Sequence, residues 1–82
     1  MSETDVPSLL GDAIRDVLGQ PDLVVTDDLT ASDVEGWDSL AHVELIYVIE
    51  DTFDISFPAD AIMDHEDVGA LRRDIERLLA DG

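Results

Sequence analysis

Ser39 is the residue with the most chemical promise in this 82-residue chain. It stands in the run Gly36-Trp37-Asp38-Ser39-Leu40, with His42 three positions on. Gly36 favours a turn, and an amphipathic helical pattern starts at Ser39. A hydroxyl at a helix start meets unpaired backbone N–H groups and the positive end of the helix dipole. Both stabilise a phosphoryl group placed there. Two other readings compete. Serine before an apolar run is a common N-cap, which carries no chemistry. Asp38, Ser39 and His42 also contain the residue types of a hydrolytic triad. A working triad, however, needs a third group that orients the histidine, and an oxyanion hole. The strand-to-helix elbow that presents such a serine is missing from the pattern. The hydrolase reading is therefore set aside.

Three apolar stripes at helical spacing must position Ser39. The first is Val6, Leu9, Leu10, Ala13, Ile14, Val17 and Leu18, with Pro7 and Ser8 in its first turn and Gly19 and Pro21 ending it. Residues 20–37 show no sustained period and read as a long loop, pinned by Leu23, Val24, Val25 and Leu29. Long loops in small domains are often functional. The second helix should run from Ser39 to Phe53, with Asp38 as N-cap. Leu45, Ile46, Ile49 and Phe53 form its core stripe. Leu40, Val43 and Tyr47 form another apolar set on a different side, which fits either burial on two sides or an exposed binding strip. Ile55, Phe57 and Pro58 make an apolar link, and Ala59 to Met63 fit one or two helical turns. Asp67 or a neighbour caps a last helix with the stripe Val68, Leu71, Ile75, Leu78 and Leu79. The predicted fold is all-α: a small antiparallel four-helix bundle of three main helices, a short third one and a long first loop.

Length allows one domain over 1–82. The chain has no Cys, which leaves no disulfide or thiolate metal site; any thiol must come from a cofactor. Net charge is -17, from 21 acidic side chains and four arginines, Arg15, Arg72, Arg73 and Arg77. Nucleic acid and anionic membranes would be repelled, whereas basic protein surfaces would be attracted. No apolar run has the length of a membrane span, and no basic segment followed by an apolar one opens the chain. The expected location is the cytoplasm, as a monomer. A calcium role for Asp64, Glu66 and Asp67 does not fit the spacing of a calcium-binding loop.

The run Asp38-Ser39-Leu40-Ala41-His42-Val43-Glu44-Leu45 resembles the attachment motif of acyl carrier proteins, Asp-Ser-Leu followed by Val-Glu-Leu. Asp28-Leu29 is similar to the acidic-Leu pair of the family's first loop. Phe53-Asp54 and Phe57-Pro58 resemble the end of its second helix and the pair that follows, and Val68 the residue that opens its last helix. These matches cover most of the chain after residue 28.

The resemblance implies that Ser39 accepts 4′-phosphopantetheine from coenzyme A, through a separate Mg²⁺-dependent phosphopantetheinyl transferase. The arm's thiol then carries acyl groups as thioesters, and the carrier does no chemistry itself. Asp38 would help present Ser39. Leu40, Val43, Glu44 and Tyr47 occupy the positions with which the family meets partner enzymes. Glu50 and Asp51 would add charge for basic docking patches on acyl-loading, ketosynthase or other acyl-processing enzymes, and Met63 would join that surface. His42 is placed on the surface beside this face. The space between helices is a candidate shelter for an acyl chain.

There are departures. Trp37 stands where fatty-acid carriers often have a small residue; such a Trp occurs in stand-alone carriers of specialised metabolism and in D-alanyl carriers. Its plainer role is packing against the second helix. His65 lies where the family often has an apolar core residue, so Ile62 or Met63 is expected to fill that space. The resulting expectation is a stand-alone acyl carrier, in polyketide or other specialised-metabolite biosynthesis. The alternatives are a fatty-acid or aminoacyl carrier, or an acidic adaptor with no prosthetic group.

Overall fold

A computed structural model describes residues 5–63 and 65–81. Three α-helices, α1 (Val6–Leu18), α2 (Ser39–Phe53) and α3 (Val68–Asp81), match the three stripes. Asp5 caps α1, its carboxylate accepting the Ser8 N–H. Gly19 closes that helix in the left-handed region at φ 65°, where a residue without Cβ is unstrained. Asp38 caps α2 through the Ala41 N–H at 2.9 Å, and Asp67 caps α3 through the Ala70 N–H at 2.8 Å. Each stripe faces one core. Leu10 and Ile14 come from α1, Leu45, Ile46, Ile49 and Phe53 from α2, and Leu71 and Ile75 from α3, with Phe57 beside them. α1 packs against both other helices.

The expected short helix at Ala59 to Met63 is a single 3₁₀ turn over Ala59–Ala61, so the described residues form three α-helices and not four. The turn buries no residue. A helix that short needs an apolar face in the core to persist.

The long loop is pinned more tightly than its composition implied. Leu23, Val25 and Leu29 pack on the core, but Val24 points to solvent. In extended chain, neighbours face opposite ways, so 23 and 25 cannot both be anchored along with 24. The missed anchor is Val34, buried just after a second 3₁₀ turn at Ala31–Asp33. The loop also supplies the partners that the start of α3 lacks. Leu29 and Asp27 carbonyls accept the Val68 and Gly69 N–H groups at 2.9 and 2.7 Å. A Cβ on Gly69 would sit 3.1 Å from the Asp27 carbonyl oxygen, so glycine permits this approach. Asp27 then takes two hydrogen bonds from Arg72, at 3.0 and 2.9 Å. That guanidinium holds the Asp27 carboxyl below its usual range. The acidic middle of the chain thus receives a counter-ion from α3.

Candidate functional site

The loop, the N-terminus of α2 and the segment after the Ala59–Ala61 turn meet around Ser39. Gly36, at φ 91°, lets the chain turn toward α2 in a conformation that a side chain would strain. Ser39 is the first residue of α2 and is exposed. It stands on the lip of an open groove of about 330 Å³, lined by Ala31, Trp37, Asp38, Ser39, His42, Met63 and His65. Asp38 spends one carboxylate oxygen on the Ala41 N–H. Its other oxygen makes no hydrogen bond among the described residues.

The groove's inner wall is built from two imidazoles that sequence reasoning placed wrongly. His42 is buried and is not on the surface. Its Nδ1 accepts the Trp37 indole N–H at 3.2 Å, and its Nε2 lies 3.0 Å from the Ile62 carbonyl oxygen. An indole nitrogen only donates and a carbonyl only accepts. The neutral Nε2–H tautomer is therefore the one form that satisfies both. The Trp37 and His42 rings stack at 6.1 Å and 21°. This gives Trp37 the packing role against α2. With both its nitrogens engaged, His42 is no base for Ser39.

His65 is itself buried in the core space assigned to Ile62 or Met63, with Ile62 packed, partly buried, against the same core. Its side chain is 2% exposed, and its Nε2 lies 2.8 Å from an Asp74 carboxylate oxygen. It meets Phe57 edge-on at 5.8 Å and His42 at 5.7 Å. Asp74 also receives Arg77 at 2.9 Å, which compensates its partly buried charge. His65 Nδ1 has no partner among the described residues. Met63 is instead 53% exposed, on the groove's rim. Burial and the nearby His65 ring both lower the readiness of His42 to take a proton, against a smaller opposing pull from the Ile62 carbonyl. A signal for His42 existed in the sequence. Positions 42, 45, 46, 49 and 53 lie on one helical face, so His42 extends the core stripe by a turn.

The predicted partner residues divide into three places. Leu40, Glu44, Tyr47 and Asp51 share one exposed face of α2 below Ser39, with Leu40 71% and Tyr47 63% exposed. Val43 and Glu50 lie on the flank and are half-buried. Glu50 already has a task in the fold, because its carboxylate accepts the Phe57 N–H at 2.7 Å and closes the turn after α2. Met63 belongs to the groove. Among the described residues, no helix is long and apolar enough to cross a membrane, and no group of three or more His, Asp or Glu could hold a metal ion. Asp64, one of the acidic residues weighed for calcium, lies outside the described residues. Behind the groove, a void of about 20 Å³ bounded by Leu29, Trp37, His42, His65 and Leu71 is too small for an acyl chain.

A family model described as the phosphopantetheine attachment site matches residues 8–75. The chain belongs to that family. A solved structure supports the assignment. The solution NMR structure of a holo acyl carrier protein from Geobacter metallireducens superposes with a TM-score of 0.86 at 28% identity, covering 95% of this chain and 90% of that one. A search of curated proteins finds no match. As a member of the acyl carrier family, the chain is a carrier protein that holds 4′-phosphopantetheine covalently. The site described above fits that group: an exposed hydroxyl stands at a helix start, with an open groove beside it for an arm. The arm supplies the thiol that a chain without Cys lacks.

Proposed function

We propose that Ser39 is the attachment residue and that 1–82 work as one monomeric, cytoplasmic carrier domain. The observation that carries this reading is the exposed Ser39 hydroxyl at the first position of α2, beside the Asp38 cap and the open groove. In the modification, the Ser39 oxygen forms the phosphate ester while the pyrophosphate of coenzyme A is cleaved and adenosine 3′,5′-bisphosphate leaves. The serine proton passes to a separate transferase, and Asp38 offers its second oxygen to that enzyme's Mg²⁺. Leu40, Glu44, Tyr47 and Asp51 form the docking face, with Val43 on its flank and Met63 at its rim. Their mix of apolar and acidic groups suits basic-rimmed apolar patches on acyl-loading and acyl-processing enzymes.

The pathway we propose is polyketide or other specialised-metabolite biosynthesis, on the resemblance of the Trp37-Asp38-Ser39 run to carriers of that kind. Incubation with coenzyme A and a phosphopantetheinyl transferase tests the attachment. Intact-mass measurement should show one phosphopantetheine added to the wild type and none to Ser39→Ala. A Ser39→Ala protein that gained the same mass would refute it. Loading of the holo protein by malonyl, aminoacyl or other acyl donors then separates the pathways.

A further inference from the structure

Trp37, His42 and Ile62 form a hydrogen-bonded chain across the groove at Ser39. Trp37 belongs to the loop entering α2 and lies two residues before Ser39. Ile62 follows the 3₁₀ turn at Ala59–Ala61 and leads into Met63, on the groove's rim. His42, on α2, is the one residue among those described that bonds to both. We propose that His42 is a positioning residue for the modification of Ser39, its neutral imidazole clasping Trp37 on one side and Ile62 on the other so that the groove stays in shape around the hydroxyl. The inference rests on the reading of Ser39 as the attachment residue.

The clasp works in one protonation state. A proton on Nδ1 would set its N–H against the Trp37 indole N–H, donor facing donor, and the Trp37 bond would be lost. The groups around His42 bear on this unequally. His65 stands at 5.7 Å and disfavours a proton on His42. Asp38 shares the groove, and Glu66 and Asp67 share the void behind it; their charges favour a proton on His42, yet none hydrogen-bonds to its ring. Asp74 is committed to His65 and Arg77. Acid should therefore loosen Trp37 while leaving the exposed docking face of α2 intact. The effect belongs to the turnover of the modification reaction and not to docking.

The test measures transfer of phosphopantetheine from coenzyme A, with one transferase, to wild type, Trp37→Phe, His42→Leu, His42→Gln and Ser39→Ala. Trp37→Phe keeps an aromatic ring and removes only the donor. His42→Gln keeps one acceptor and one donor but cannot be charged. We expect Trp37→Phe and His42→Leu to lower kcat about 2- to 10-fold, the rate equivalent of one net hydrogen bond. KM should stay unchanged, and His42→Gln should recover most of the loss. The ratio of the wild-type to the His42→Gln rate, in which the transferase's own pH dependence cancels, should fall as pH drops below about 6.5, the ordinary histidine value. Wild-type kcat in Trp37→Phe, or a ratio that stays flat down to the lowest pH at which the wild type remains folded, overturns the proposal. Should His42→Leu fail to fold, Trp37→Phe and His42→Gln still decide. Modification of Ser39→Ala would sink the attachment reading instead, so the two failures are distinguishable.

Discussion

Leu45, Ile46, Ile49 and Phe53 point one way from α2 and are buried in the core; Leu40 and Tyr47 point the other way and stay in water. Both faces are apolar, and hydrophobicity alone does not tell them apart. What separates them is cover. The inner face meets side chains from α1, α3 and Phe57. The outer one is flanked by the charges of Glu44 and Asp51 and meets solvent. The inner face holds the helix in place, and the outer face together with Ser39 is available to other proteins. Damage to the first should appear as lost stability, and damage to the second as lost function in a protein that still folds.

The largest effect should come from the inner face. Ile49→Ala removes a fully buried side chain and should cost about 2–5 kcal/mol, read from urea unfolding. In a domain this small, that is a large share of the total. Ile49→Ala unfolding with the same midpoint as wild type would break the comparison.

Glu50 lies on the boundary between the faces and separates two roles. Glu50→Ala leaves the half-buried Phe57 N–H without its acceptor and should cost about 1–3 kcal/mol. Glu50→Gln keeps an acceptor and removes the charge, so it should retain most of the stability. If Gln is as damaging as Ala, the hydrogen bond is not what matters. If both are harmless, Glu50 belongs with the outer face after all.

On that outer face, Leu40→Ala and Tyr47→Ala should change stability by no more than about 0.5 kcal/mol. They should nevertheless weaken transferase or acyl-processing partners by more than about 1 kcal/mol, measured by calorimetry. A stability loss on the scale of Ile49→Ala would mean that the outer face is structural.

The smallest effects are electrostatic. His42 takes a proton less readily in the fold than in the unfolded chain. Its contribution is therefore fully present above the unfolded value of 6.5 and is lost as pH falls below it toward the lower folded value. Wild type should lose stability over that range, and His42→Gln should lose less. Added salt should raise the melting temperature by screening a net charge of -17. A melting temperature that does not rise with salt would show that self-repulsion is not a significant cost.

The helices were legible because each buries one stripe and is bounded by residues with a local reason to stop or start it: Pro7, Gly19, Asp38 and Asp67, whereas the Asp5 cap on α1 emerged only in the structure. Ser39 was legible for the same reason, since a helix start is a local event. The groove behind it was not. Its polar members are satisfied by partners far along the chain, His42 by Ile62 and His65 by Asp74, and periodicity does not report such pairs. Periodicity places His42 on the core stripe, but its hydrogen-bond partners come into view only in the structure. The segment Ala59 to Met63 was over-read as a helix because composition cannot show that Ala59–Ala61 buries no residue and that Ile62 alone packs on the core.

Fragmentation mass spectrometry of the modified wild-type chain tests the attachment most directly, because it locates the added mass among the serines at 2, 8, 32, 39 and 56. If Ser39 is the anchor, every fragment carrying phosphopantetheine contains Ser39, and fragments holding only the other four are unmodified. Phosphopantetheine on any of the other four, or a wild-type chain that takes up none from coenzyme A with an active transferase, would contradict the central claim.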